Sequence, residues 1–182
     1  LLVIGVWACN GNRKLVWDEQ TSAPGYGAII VRRTALFESH QVLGEHAGWM
    51  DLGETAQLID PSTQKPLAPT LQFHGALMLV ERSLTTKKFN LTAVMFNCRA
   101  REANGRPALP YVKWELSDDS SRWNRIEIVA DDIGKEANLM TIYQMDGMPE
   151  VVTDEYRNKN RDCGPYPHEH CRIVKYSRNP CH

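Results

Sequence analysis

A chain of 182 residues has the length of one domain and can bury roughly 70% of the surface that its unfolded form exposes. Hydrophobic residues at 42% and charged residues at 24% exclude a disordered or fibrous chain. The balance of 21 Lys and Arg against 22 Asp and Glu lacks the cationic surplus that binding nucleic acid or an anionic membrane requires, and no apolar run approaches the ~20 residues of a membrane helix.

The chain begins with an apolar run, residues 1–9, read as a buried first strand or as the tail of a signal peptide. Asn10-Gly11 follows, a dipeptide suited to positive φ, and predicts a tight hairpin onto Lys14-Leu15-Val16-Trp17. Residues 27–33 and 71–81 read as further strands, although 77–84 also admits a short helix. The intervening 60–69, with three prolines, reads as a loop. Residues 89–98 turn apolar on both faces, as a central strand does, and Asn104-Gly105 separates them from 111–116. There Val112, Trp114 and Leu116 alternate with Tyr111, Lys113 and Glu115. Residues 125–130 alternate in the same way. Asp146-Gly147 predicts a hairpin between 139–145 and 149–153, and 171–176 is a last candidate strand.

About 8–10 strands with little helix predict a single all-β domain over 1–182, either an antiparallel β-barrel of calycin type or a β-sandwich. Gly5-Val6-Trp7 resembles the Gly-x-Trp element of lipocalins, and Arg172 would then be the cation covering that Trp. The resemblance rests on three residues; it implies a closed barrel and identifies no family.

The five cysteines are Cys9, Cys98, Cys163, Cys171 and Cys181, three of them in an irregular tail, 160–182, that is rich in Pro, Asn and His. Such a tail cannot hold itself down by apolar burial, so we expect disulfides to tether it and an oxidising, secreted setting. Asn90-Leu91-Thr92 is a glycosylation sequon, with Asn90 the acceptor.

Segment 38–51 gathers Glu38, His40, Glu45, His46, Trp49 and Asp51 between glycines. Histidine beside carboxylate performs acid–base work near neutral pH, which makes His40, His46, Glu45 and Asp51 the candidate catalytic groups. His168 and His170, two apart, could share a metal with His182, but no metal site is favoured. Trp49, Trp114, Trp123 and Met140 are the candidate walls of a ligand cavity. Neither a nucleophile elbow nor a dinucleotide or phosphate loop is present in the sequence.

The leading expectation is a secreted β-domain that binds a small apolar or aromatic ligand, or a carbohydrate, with no cofactor and no chemistry. Segment 38–54 would lie at the mouth of its cavity. Two other classes stay open: a hydrolase or lyase working from 38–51, with His40 or His46 beside Glu38, Glu45 or Asp51, and a protein-binding inhibitor or host-facing factor.

Overall fold

The computed structural model describes residues 11–40, 48–143, 145–160 and 170–175. The chain starts with three long strands, β1 (Asn12–Ala23), β2 (Gly27–His40) and β3 (Gly48–Ile59). There follow β4 (Leu71–Phe73), β5 (Ala76–Arg82), β6 (Phe89–Val94), helix α1 (Cys98–Ala103), β7 (Tyr111–Leu116) and β8 (Trp123–Ile126). A 3-10 turn (Ala130–Asp132), a short β9 (Val151–Val152) and helix α2 (Asp154–Asn160) complete the described elements.

These strands form two sheets, ordered β4-β3-β2-β1-β9 and β5-β6-β7-β8. All pairings are antiparallel except β9, which runs parallel to β1. The all-β expectation is met. The barrel is not: neither sheet closes on itself. The physical reason lies at the edges, where the three residues of β4 and the two of β9 are too short to carry a hydrogen-bonded ladder from one sheet to the other.

Burial alternates along β1, where Leu15, Trp17, Thr21 and Ala23 point inward between exposed neighbours. Strand β6 is buried at every position, Asn90 and Thr92 included, but it ends at Val94, and Cys98, read as the end of the same strand, begins α1. Ile29, Val31, Ala56 and Leu58 of the first sheet meet Leu77, Val80, Leu91, Ala93 and Val112 of the second in one shared core. Residues 77–82 are strand, so the helical alternative is excluded.

The turns and their flanks depart from expectation at Asn104-Gly105 and at 139–143. The β1–β2 reversal is made by Pro24-Gly25-Tyr26, with Gly25 at φ +79° and the Tyr26 amide donating to the Ala23 carbonyl at 3.0 Å. No side chain fits at Gly25, where an added Cβ would lie 2.1 Å from the Arg82 carbonyl oxygen. Asn104 is the C-cap of α1 instead of a hairpin corner. Asp146-Gly147 does turn, with Gly147 at φ +82°, but 139–143 forms no strand. Asn138 instead caps the edge of β5: its Nδ2 donates to the Val80 carbonyl at 2.8 Å, and its Oδ1 accepts from the Val80 amide at 2.9 Å. The segment that follows then lies across the inner face of the long strands. The Asn10-Gly11 hairpin and the Gly5-Val6-Trp7 element fall in residues 1–10, outside the described part.

Of residues 171–176, Arg172 makes an isolated bridge with Glu136, while Cys171 and Ile173 are buried. Arg172 also pairs with the Glu136 side chain at 3.1 Å; Trp7, the ring it was expected to cover, lies outside the described residues. Among the described residues Arg33 lies over the buried Trp17, 4.8 Å from its ring centre. Cys98 and Cys171 each take part in a disulfide, while Cys9, Cys163 and Cys181 lie outside the described residues.

Candidate functional site

Strands β1 to β3 are about twice as long as those of the opposing sheet, so their inner face overhangs it at one end. Leu15, Trp17, Ala35 and Phe37 on that overhang are covered by Met140 and Val152, with Tyr143, Met145, Met148 and Tyr156 packed around them.

This second core is crossed by charge. Arg33, Glu19 and Glu54 occupy inward positions of adjacent strands, with no exposed side-chain surface. The Arg33 guanidinium donates to Glu54 at 2.6 and 3.0 Å, to Glu19 at 2.7 Å and to the Met140 carbonyl at 2.7 Å. It also donates to the Leu77 carbonyl at 3.1 Å and to the Tyr143 hydroxyl at 2.9 Å. Glu19 accepts in addition from Arg157 of α2 at 3.0 Å and from the Met140 amide at 2.6 Å. The Tyr143 hydroxyl donates to Glu54. Burial pushes the Glu54 carboxyl up, against the pull of Arg33, and pushes Tyr143 well up, helped by Glu54. Burial alone would lower Arg33, but Glu54, Tyr143 and Glu19 together raise it. A buried ion network whose donors and acceptors are paired fixes one arrangement of the strands that carry it.

Next to this network a cavity of about 360 Å³ opens at the end of the sheets. Its geometry begins with a β-bulge. The pairing shifts between Leu36 and Phe37, so that Leu36 faces Gly53 while Phe37 faces Asp51, and Leu52 is the extra residue. The bulge puts Asp51 and Trp49 on the same face as Phe37. Gly53 allows it, at φ +134°. The Asp51 carboxylate accepts from the Gly53 amide at 2.8 Å and from the Gly75 amide at 3.3 Å. Gly75 also has positive φ, and a Cβ there would lie 2.6 Å from the Val94 carbonyl oxygen. Burial raises the Asp51 carboxyl above its ordinary value, while the two amides, His74 and Arg99 pull it down.

Four aromatic rings wall the cavity. Phe37 and Tyr143 meet edge to face at 5.7 Å, and Phe96 meets the His170 ring at 6.1 Å. Trp49 is 42% exposed and Phe96 40%, so both rings border the opening. Asn97, Thr141, Ile142, Gly75 and Ala76 complete the lining. Asn97 is held as the N-cap of α1, accepting from the Ala100 amide at 2.8 Å, and Thr141 donates to the His170 carbonyl at 3.1 Å.

The structure thus brings together Trp49, Asp51 and His170 of the residues singled out in the sequence. It does not bring Trp114, Trp123 or Met140 to the cavity. Trp114 packs at a tilt against Phe73, ring centres 5.4 Å apart, in the main core, because the inward positions of β7 meet the opposite sheet. Trp123 packs on that core and donates to the Pro69 carbonyl at 2.7 Å. Met140 is buried beside Trp17. Asn90 is 5% exposed within β6, and a glycan on its nitrogen would need the strand to open. Among the described residues no three His, Cys, Asp or Glu side chains are grouped to hold a metal. Glu45, His46, His168 and His182, together with the His40 side chain, lie outside the described residues.

Sequence reasoning missed Phe37, Phe96, Tyr143 and the Arg33 network. The network had a signal: Glu19 shares the inward parity of Trp17, Arg33 that of Val31 and Ala35, and Glu54 that of Ala56 and Leu58. Charge of both signs at core positions of three neighbouring strands implies pairing.

No protein-family model, curated protein or solved structure matches this chain.

Proposed function

We propose that this chain is a secreted, non-catalytic binding protein that takes a small aromatic molecule into the cavity at the overhanging end of its long strands. One observation carries the reading: four aromatic rings converge on a hollow whose rear wall is fixed by a fully buried ion network. A site of about 360 Å³ lies at the lower end of the range for small-molecule pockets, enough for one ring and a short substituent. Flat walls favour a flat ligand, since ring faces and edges stack with specific geometry. The partly exposed Trp49 and Phe96 would lose water contact on binding, which supplies the hydrophobic part of the affinity.

The disulfide-bonded state of Cys98 and Cys171 supports an oxidising compartment and a tethered C-terminal tail. Comparing masses before and after reduction of protein from its natural source checks that part, with a gain of one hydrogen pair for each bond.

Native mass spectrometry of the same material tests the binding reading. A retained small molecule, lost in Trp49→Ala, is the expected result. An empty protein that also fails to bind any member of a panel of small aromatics by calorimetry would end it.

A further inference from the structure

Resting on the reading of this cavity as a ligand site, we infer that it selects a protonated amine carried on a small aromatic group. Among the described lining residues Asp51 is the one carboxylate, and none is a lysine or arginine. The remaining polar lining offers neutral groups and one imidazole. The rings of Trp49, Phe96, Phe37 and Tyr143 present electron-rich faces, which attract a cation and do nothing for an anion. Trp49 already shows this preference, with the Arg13 guanidinium 5.9 Å from its ring centre.

Asp51 is set up as an acceptor. Its two oxygens each receive one backbone amide, from Gly53 and Gly75, which fixes the carboxylate plane and leaves further lone pairs for an ammonium group. The nearby cation, Arg99, is drawn away from it, contacting the Met50 sulfur at 3.7 Å and Glu38 at 3.9 Å. An anionic ligand would meet the Asp51 carboxylate, with no lysine or arginine among the described lining residues to offset it. A neutral ligand keeps the stacking but forgoes the charge-assisted hydrogen bond.

The test uses three phenyl compounds of matched shape: phenethylamine, phenethyl alcohol and hydrocinnamate. Each is titrated into the unaltered protein by calorimetry and by tryptophan emission, where a phenyl ring does not absorb. The difference between a charge-assisted and a neutral hydrogen bond predicts about tenfold tighter binding of phenethylamine than of phenethyl alcohol, with hydrocinnamate weakest. In Asp51→Asn the two neutral-pH affinities should converge to within roughly threefold, the alcohol being unchanged. Equal binding of amine and alcohol to the unaltered protein would overturn the amine assignment and leave the pocket standing. Retention of the full preference in Asp51→Asn would overturn the role of Asp51. If none of the three binds, the pocket itself is wrong and this inference falls with it. Because the three-ligand series needs no variant, a folding failure of Asp51→Asn leaves the question decidable.

Discussion

Replacing Arg33 by Met would remove the cation at the centre of the buried network while keeping a side chain of similar length. Arg33 makes six hydrogen bonds, and the two glutamates it serves are not left equally exposed to its loss. Glu19 keeps Arg157 and the Met140 amide, whereas Glu54 keeps the Tyr143 hydroxyl as its one named donor. The orphaned charge is therefore Glu54. Breaking one side of a buried pair costs about 3–5 kcal/mol, which for a chain of this size is a fall in Tm of roughly 6–20 °C. Adding Glu54→Gln removes the orphaned charge, so the double variant should melt above Arg33→Met alone. Acid should do the same. Burial already raises the Glu54 carboxyl, and losing Arg33 raises it further. A group raised in the folded state stabilises below its ordinary value and loses that contribution as pH rises through the folded value. The deficit of Arg33→Met should thus narrow as pH falls from neutral towards the ordinary glutamate value of 4.5. Calorimetric melting of the parent, both single variants and the double variant over that pH window reads all of this. A loss below about 1 kcal/mol, or single losses that simply add, would refute the account of Glu54 as an uncompensated buried charge.

Trp49→Ala should cost no more than about 1 kcal/mol, since Trp49 is 42% exposed, while Trp114→Ala in the core should cost about 3–5 kcal/mol; urea melts compare the two. Gly25→Ala should destabilise far more than Gly27→Ala, because both have positive φ but only Gly25 meets a backbone oxygen, at 2.1 Å; the yield of folded protein and its Tm report the difference. Asp132 is 1% exposed; burial raises its carboxyl, but hydrogen bonds from Lys113 and Lys135 outweigh that and hold it below its ordinary 3.8. A depressed carboxyl stabilises above the ordinary value and loses that as pH falls through the folded one, so Lys113→Met should blunt the drop in Tm seen on acidifying below 3.8.

Much of the architecture was legible because side-chain parity is a local property. The alternation in 111–116 follows from which residues can face a core, whatever the partner strand is. The same parity, read for charge, marks Glu19, Arg33 and Glu54 as inward residues, a signal that went unread. What parity cannot say is where a strand ends its pairing. The bulge at Leu52 shifts β3 from one inward phase to the other, and that shift alone sets Asp51 and Trp49 beside Phe37.

Residues 139–143 are a mostly apolar run that reads as a strand, yet they cover the overhang of the long strands because Asn138 has taken the edge of β5. The sequence by itself determined several of the strands, their inward faces and the presence of aromatic and carboxylate groups near 49–51. Tertiary structure decided that the sheets stay open, that Trp114 and Trp123 serve the core, and that Phe96, Tyr143 and His170 meet Trp49 and Asp51 around one cavity. The physical reason is that a cavity is what several distant segments leave unfilled, a property of their relative placement that no single stretch of chain contains.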